Sequence, residues 1–494
     1  MLRFHTFGFS AFDRAVRCVL NFLAAAIAPT VALVPALALA QAPPTLPTIG
    51  SASYSIAASN PNVDGGATAV NGSSSLNAAT NTAVINDYIS YASAHGGGTI
   101  EVPAGTYISN ELLMANNVDL NVDGTLQNNV GTSTFITTAA GGTDNMGISG
   151  TGTINNNATK TSNNKMLQFD GITNLAVQGV TIENAPNEHL VTECCDNVTI
   201  SGITIQDNKV QENTDGIDYS GMNYLITNCN ISDDDDDIVA KPNTDVFNGI
   251  TAHTGNVVIT NDTLTAGHGI SIGGQTNAGL NGMYVANCTI AGNGSLTLEN
   301  GIHLKAGDGA AGSGSANGGL VENVTFNNIT MSNVDDAIAI DSFYEGGSDY
   351  PKTMPFPAAP TDSTEPLWKN ITFENITMTD ISGNAAQLYG LNSDPANFDG
   401  VNFINMNITS GDSWEMYYAD DVYMDGVVVN GTTLPDSLAD LKDAGSSHTA
   451  SDEYADTFDM GPNAIYNPVP EPGSLSLLAG ALLPLVRRRR SAWR

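Results

Sequence analysis

Carboxylates fall into two groups in the middle of this sequence. Asp215 stands alone in Asn213-Thr214-Asp215-Gly216, and five aspartates run from Asp233 to Asp237. Acid–base cleavage of a glycosidic bond needs two carboxyl groups on a rigid support, one to protonate the leaving oxygen and one to activate water. Asp215 lies 21 residues before Asp236 and 22 before Asp237. That is about one turn of a coiled, stacked chain, so either pair can line one flank of it. Further on, Gly267 and Gly269 flank His268 and permit close backbone approach. His303 and Lys305 point the same way by strand alternation. Each signal alone is weak: an aspartate run is more often a solvated or calcium-binding loop, and Asn243-Thr244-Asp245 repeats the first triplet by chance. Order and spacing together carry the argument.

The elements that must position these groups are repeats. Asn174-Leu-Ala-Val-Gln-Gly-Val-Thr-Ile, Asn197-Val-Thr-Ile-Ser-Gly-Ile-Thr-Ile and Asn370-Ile-Thr-Phe-Glu-Asn-Ile-Thr-Met share one design, recurring roughly every 20 to 35 residues up to about Val429. Each is an apolar alternation, a corner with Asn or a small residue, and a second short alternation. Such a unit buries its inward residues only against the units above and below, which predicts an all-β solenoid, a parallel β-helix. Asn suits the corners because it tolerates a left-handed backbone, so the N-x-T triplets read as corners and not glycosylation sites. A β-sandwich would not explain the double alternation. Val84, Ile85, Tyr88, Ile89 and Ala92 have helical spacing. A short helix near residues 83–94 is therefore expected to cap the N-terminal end, where a solenoid would expose core and strand edges.

Residues 1–40 read as a secretory signal ending in Ala38-Leu39-Ala40, 41–72 as a linker, 73–431 as the β-helix, and 432–467 as an acidic spacer. Residues 468–494 combine Pro470-Glu471-Pro472, a short apolar run and Arg487 to Arg490. This order resembles the PEP-CTERM sorting tag of some Gram-negative bacteria, which implies export and handling by a sorting machinery at the envelope. The formal net charge is −35, and between Gln41 and Pro470 there is no arginine and only eight lysines. Nucleic-acid binding, which needs a basic footprint, is excluded. After the signal, Cys194, Cys195, Cys229 and Cys288 remain; none has metal-ligand spacing, and their pairing is not legible.

The ordered set Asn213 to Gly216, Asp236-Asp237, Gly267 to Gly273 and His303 to Lys305 resembles the polygalacturonases, glycoside hydrolase family 28. Glu183 to Leu190 and Gly96 to Tyr107 support the match. The resemblance implies a single-stranded right-handed parallel β-helix and inverting hydrolysis of a galacturonate-containing polysaccharide without metal or cofactor; a monomer is expected. Asp236 would be the general acid, Asp215 and Asp237 would hold and deprotonate the water, and His268 would support the acid. Asn213, Lys241, His303, Lys305 and Tyr344 would bind substrate, with Lys305 and Lys241 on the sugar carboxylate. Inversion calls for carboxyl separations of about 6.5–9.5 Å. His303 stands where the family has arginine, and could replace it only when protonated, below about pH 6.5. Two other readings share the scaffold: a glycan-binding protein without catalysis, and a calcium-dependent lyase with its ion in the aspartate block.

Overall fold

The computed structural model describes residues 42–433, except 160, 208–212, 294–297, 308–317, 343, 345–365, 391–396, 411–412, 418 and 420. The signal, most of the acidic spacer and the sorting segment lie outside the described residues. A solenoid of parallel strands accounts for nearly all the rest. The chain winds through three strand columns per turn, and each residue pairs with its counterpart on the next rung. Thr99, Asp119 and Gly147 form one such series. This stacking removes the β-sandwich alternative. Rung length exceeds the expected range in two places, where Tyr284 pairs with Thr325 and Thr325 with Thr372.

The N-terminal end is covered by helix α1, Ala78–Ala94, which buries Ala78, Asn81, Val84, Ile85, Tyr88, Ile89 and Ala92. It begins earlier than the apolar spacing suggested, because Ala78 and Asn81 extend the buried face. Asn81 donates to the carbonyls of Val70 and Ile108 and accepts from the Val70 N–H, so a polar residue closes the seam between cap and first rung. The expected linker is also revised. Strand β1, Ser53–Ser55, pairs in parallel with β2, Gly98–Val102, and Ile56 and Val63 are buried. Its Ser- and Asn-rich composition hid these few inward residues.

Corner asparagines behave as their chemistry demands. Asn117, Asn145 and Asn174 have φ of 64°, 52° and 59°; Asn145 donates its side-chain amide to Asn117, and Asn174 to Asn145, each at 3.2 Å. Inside, Phe326, Phe373 and Phe403 stack at 5.2 and 5.1 Å. The four cysteines among the described residues, Cys194, Cys195, Cys229 and Cys288, are buried and free.

One column carries the site. It comprises β3 (Leu167–Asp170), β4 (Leu190–Ser201), β5 (Ile217–Thr227), β6 (Ile238–Ala240), β7 (Ile270–Ile272), β8 (Leu298–Lys305) and β9 (Thr330–Asp341). Each strand is paired with the next. Corners leading into these strands hold Asp215, Asp235, Asp236 and His268, while Lys241 and Lys305 stand at the strands' other ends.

Candidate active site

A cleft of about 370 Å³ runs across this column. Asp215, Asp235 and Asp236 form its acidic floor, Lys241, Lys305 and Tyr344 one wall, and Asn163, Asn187, Glu188 and Asn213 the N-terminal end. The expected Asp215, Asp236, Asn213, Lys241, Lys305 and Tyr344 therefore come together. Gly267 and Gly269 do what their small size allows: a Cβ would lie 2.3 Å from the Asp235 carbonyl or 2.1 Å from that of Gly301.

Asp236 is buried and accepts on both oxygens. Ser271 Oγ donates to Oδ1 at 2.7 Å, and Lys305 Nζ donates to Oδ1 and Oδ2 at 3.0 and 2.8 Å. Burial alone would discharge Lys305, but Asp236 outweighs it and keeps the ammonium charged. Tyr344 packs its ring 4.8 Å from Lys305 Nζ.

Asp215 is held from two directions. Lys241 Nζ lies 2.7 Å from its Oδ2 and 2.7 Å from Asp218 Oδ2. One ammonium cannot neutralise two carboxylates. Asp218 is the one pushed well up, by burial first and then by the charge of Asp215, against the pull of Lys241. Lys241 is thus held by two carboxylates of the protein while its side chain still lines the cleft. From beneath, buried His189 donates its backbone N–H to the Asp215 carbonyl at 2.8 Å. Its Nδ1 faces the carbonyls of Thr214 and Asp215 at 3.2 and 3.1 Å, which requires the proton on Nδ1. Burial lowers this imidazole to about 4, so it is neutral.

Asp237 is a correction. It is wholly buried and absent from the cleft lining, with Oδ2 accepting from the Gly269 N–H at 2.9 Å. Burial above all pushes its carboxyl well up. Asp233 is likewise buried and pushed up, by burial and then by Asp237. The corner turns these two inward, and it is Asp235 that joins Asp236 in the cleft.

His268 stands beside this pair. Its Nδ1 is 3.3 Å from Asp235 Oδ1 and 3.8 Å from Asp236 Oδ1, and its Nε2 is 3.0 Å from Glu299 Oε2. Burial would lower it, but the bonds to Asp235 and Glu299 raise it to about 10. Ligand atoms of Asp235, Asp236 and His268 lie within 4.8 Å of one another, a spacing that could suit a cation. His303 departs from expectation in the other direction. It packs edge-on to Tyr344 with ring centroids 5.8 Å apart, and its Nδ1 is buried without a partner. Burial, then the charges of Lys305 and His268, pushes it well down, so it cannot serve as a protonated stand-in for arginine.

Sequence reasoning missed Asp218, Asp235, Glu188, His189, Ser271 and Glu299. His189 and Glu188 lie in a segment with a visible match but no legible role. Ser271 follows His268 by three residues, and only the rung pairing shows that it reaches Asp236.

Residues 93–422 match the family model for glycosyl hydrolases family 28. Polygalacturonase-2 of Solanum lycopersicum is 32% identical over 145 residues, 29% of this chain and 30% of that protein. The aligned stretches span about a third of the curated relatives' own length. Among solved structures, the polygalacturonase from Erwinia carotovora ssp. carotovora superposes with a TM-score of 0.58 at 23% identity, covering 77% of this chain and 98% of that one. The exopolygalacturonase of Thermotoga maritima gives 0.58 at 17%, covering 79% and 94%. These likenesses identify the solenoid as a right-handed parallel β-helix. With two thirds of its length matched on one family model, the chain belongs to the glycosyl hydrolases of family 28.

Proposed function

We propose that the protein is an exported glycoside hydrolase that cleaves pectin-type polysaccharide by an inverting acid–base mechanism. The observation that carries this reading is the meeting of Asp215 and Asp236 in the lining of one cleft, with Lys305 ion-paired to Asp236. Asp236 is the proton donor to the leaving oxygen, and Asp215, steadied by Lys241 and His189, orients and deprotonates the water. A carboxylate whose two oxygens both accept from an ammonium has no proton to give. Substrate must therefore draw Lys305 away, and a sugar carboxylate beside Tyr344 is the group suited to do so. His268, charged and tied to Asp235, holds the corner that presents Asp236.

Asp236→Asn should lower reducing-end release from pectic polymers by about 10²–10⁴-fold, the usual contribution of a general acid; unchanged hydrolysis would sink the assignment. Proton NMR of the first product should show the inverted anomer. Export and envelope sorting rest on the two terminal segments, and cell fractionation with and without residues 468–494 tests them. A monomer is the expected state, checked by light scattering. The non-catalytic reading has one observation in its favour, the acceptor-only state of Asp236. Glycan binding without any release of reducing ends would establish it.

A further inference from the structure

The N-terminal end of the cleft has a chemistry of its own. Glu188 lines it and is only 8% exposed. One of its oxygens, Oε1, is ion-paired with Lys165, while Oε2 is shielded from solvent and has no hydrogen-bond partner. A buried carboxylate oxygen without a donor is costly, so this end of the cleft lacks a donor, not an acceptor. The amides of Asn163 and Asn187 lie beside it.

Cations are already taken. Among the described residues that line the cleft or touch its lining, Lys165 is held by Glu188, Lys241 by Asp215 and Asp218, and Lys305 by Asp236. Lys305 can release its carboxylate toward the Tyr344 end, but at the Asn163 end a second sugar carboxylate would meet Glu188 with no unpaired cation among the described residues to offset it.

Resting on the hydrolase reading, we propose that Glu188 defines a subsite for an uncharged sugar unit, neutral or ester-capped, because a second sugar carboxylate there would face the Glu188 carboxylate. The cleft is then asymmetric: a uronate at the Lys305 and Tyr344 end, an uncharged unit at the Asn163 and Asn187 end. Like-charge repulsion in a partly desolvated cleft supplies the discrimination.

The test is binding, by calorimetry, with the full chain carrying Asp236→Asn to stop turnover. The probes are galacturonate oligosaccharides of one length, one with all carboxyls free and one partly methyl-esterified. The partly esterified probe should bind about ten-fold tighter. Adding Glu188→Gln, which frees Lys165, should erase the difference by tightening the free-acid probe. Lys165→Met leaves Glu188 without a counter-ion and should widen the difference, which keeps the test alive if the Glu188 variant does not fold. Equal or tighter binding of the free acid, binding of neither probe, or a preference indifferent to both variants would overturn the subsite. Reducing-end release by the unmodified protein separates the two levels. Hydrolysis with free-acid preference overturns the subsite and spares the hydrolase; ester preference without hydrolysis does the reverse.

Discussion

Lys241 is ion-paired with both Asp215 and Asp218, and removing it would leave two buried carboxyl groups without that cation. Breaking a buried pair in this way costs about 3–5 kcal/mol, so Lys241→Met should lower the unfolding free energy by about that amount. Asp218→Asn in the same chain should restore part of it, as read from denaturant melts. His303 gives a second prediction. Its folded-state pKa lies well below 6.5, so the ring is already neutral at pH 6.5 and its charge does not change as pH rises from there to 8. His303→Gln should leave the shape of the pH–activity profile unchanged; an inflection near pH 6.5 that vanishes in the variant would contradict this. At this scale the sequence marked which rungs matter, since Asp215, Asp236 and Lys305 met as spaced. It did not reveal which way each carboxylate of the Asp233–Asp237 run turns. That depends on a corner whose inward members, Asp233 and Asp237, are chosen by backbone path, and five identical residues carry no pattern to read.

Among the elements, corner columns are the most regular, and one member breaks the rule. Asp262 is buried in the corner between strands Thr254–Thr260 and Thr263–Leu264, on the rung after β5. Its Oδ1 accepts from the Cys229 N–H at 2.7 Å, while Oδ2 is buried without a partner. Burial raises its carboxyl to about 7. The folded state therefore holds a proton that the unfolded chain releases near 3.8. The stability this lends is fully present below 3.8 and is lost as pH rises through about 7. Asp262→Asn keeps the acceptor at Oδ1 and removes the ionisation, so its advantage in thermal melts should be small at pH 4 and reach on the order of a few kcal/mol at pH 8. The repeats were legible because strand alternation and corner asparagines are local signals. The strand at Ser53–Ser55 was not, because it has three polar-looking residues and is defined by its partner, Thr99 to Glu101.

For the whole molecule, stability is distributed along a stack, and the ends are its exposed surfaces. Helix α1 covers one end with Val84, Ile85, Tyr88 and Ile89. Ile89→Glu should lift this cover, expose the edge strands of the first rungs and produce end-to-end association, visible as higher mass by light scattering. If the variant stays the same size and melts like the parent, the helix is not acting as a cap. At the other end of the described residues, Val428 and Val429 pair antiparallel with Thr432 and Thr433, turning the chain back on its last rung.

The pairing of β3 through β9, one residue opposite its counterpart on the next rung, also makes the cleft a ruler. Glu188, Asp215, Asp236 and Ser271 are carried by four successive rungs, so they stand in steps of about 4.8 Å along the axis, the spacing of hydrogen-bonded strands. On the proposed reading, a polymer lying in the cleft would be read in those steps, and its own repeat would have to keep pace with the backbone hydrogen bonds of the protein. Inserting one rung between β4 and β7 would change the tick marks without altering a single side chain of the site.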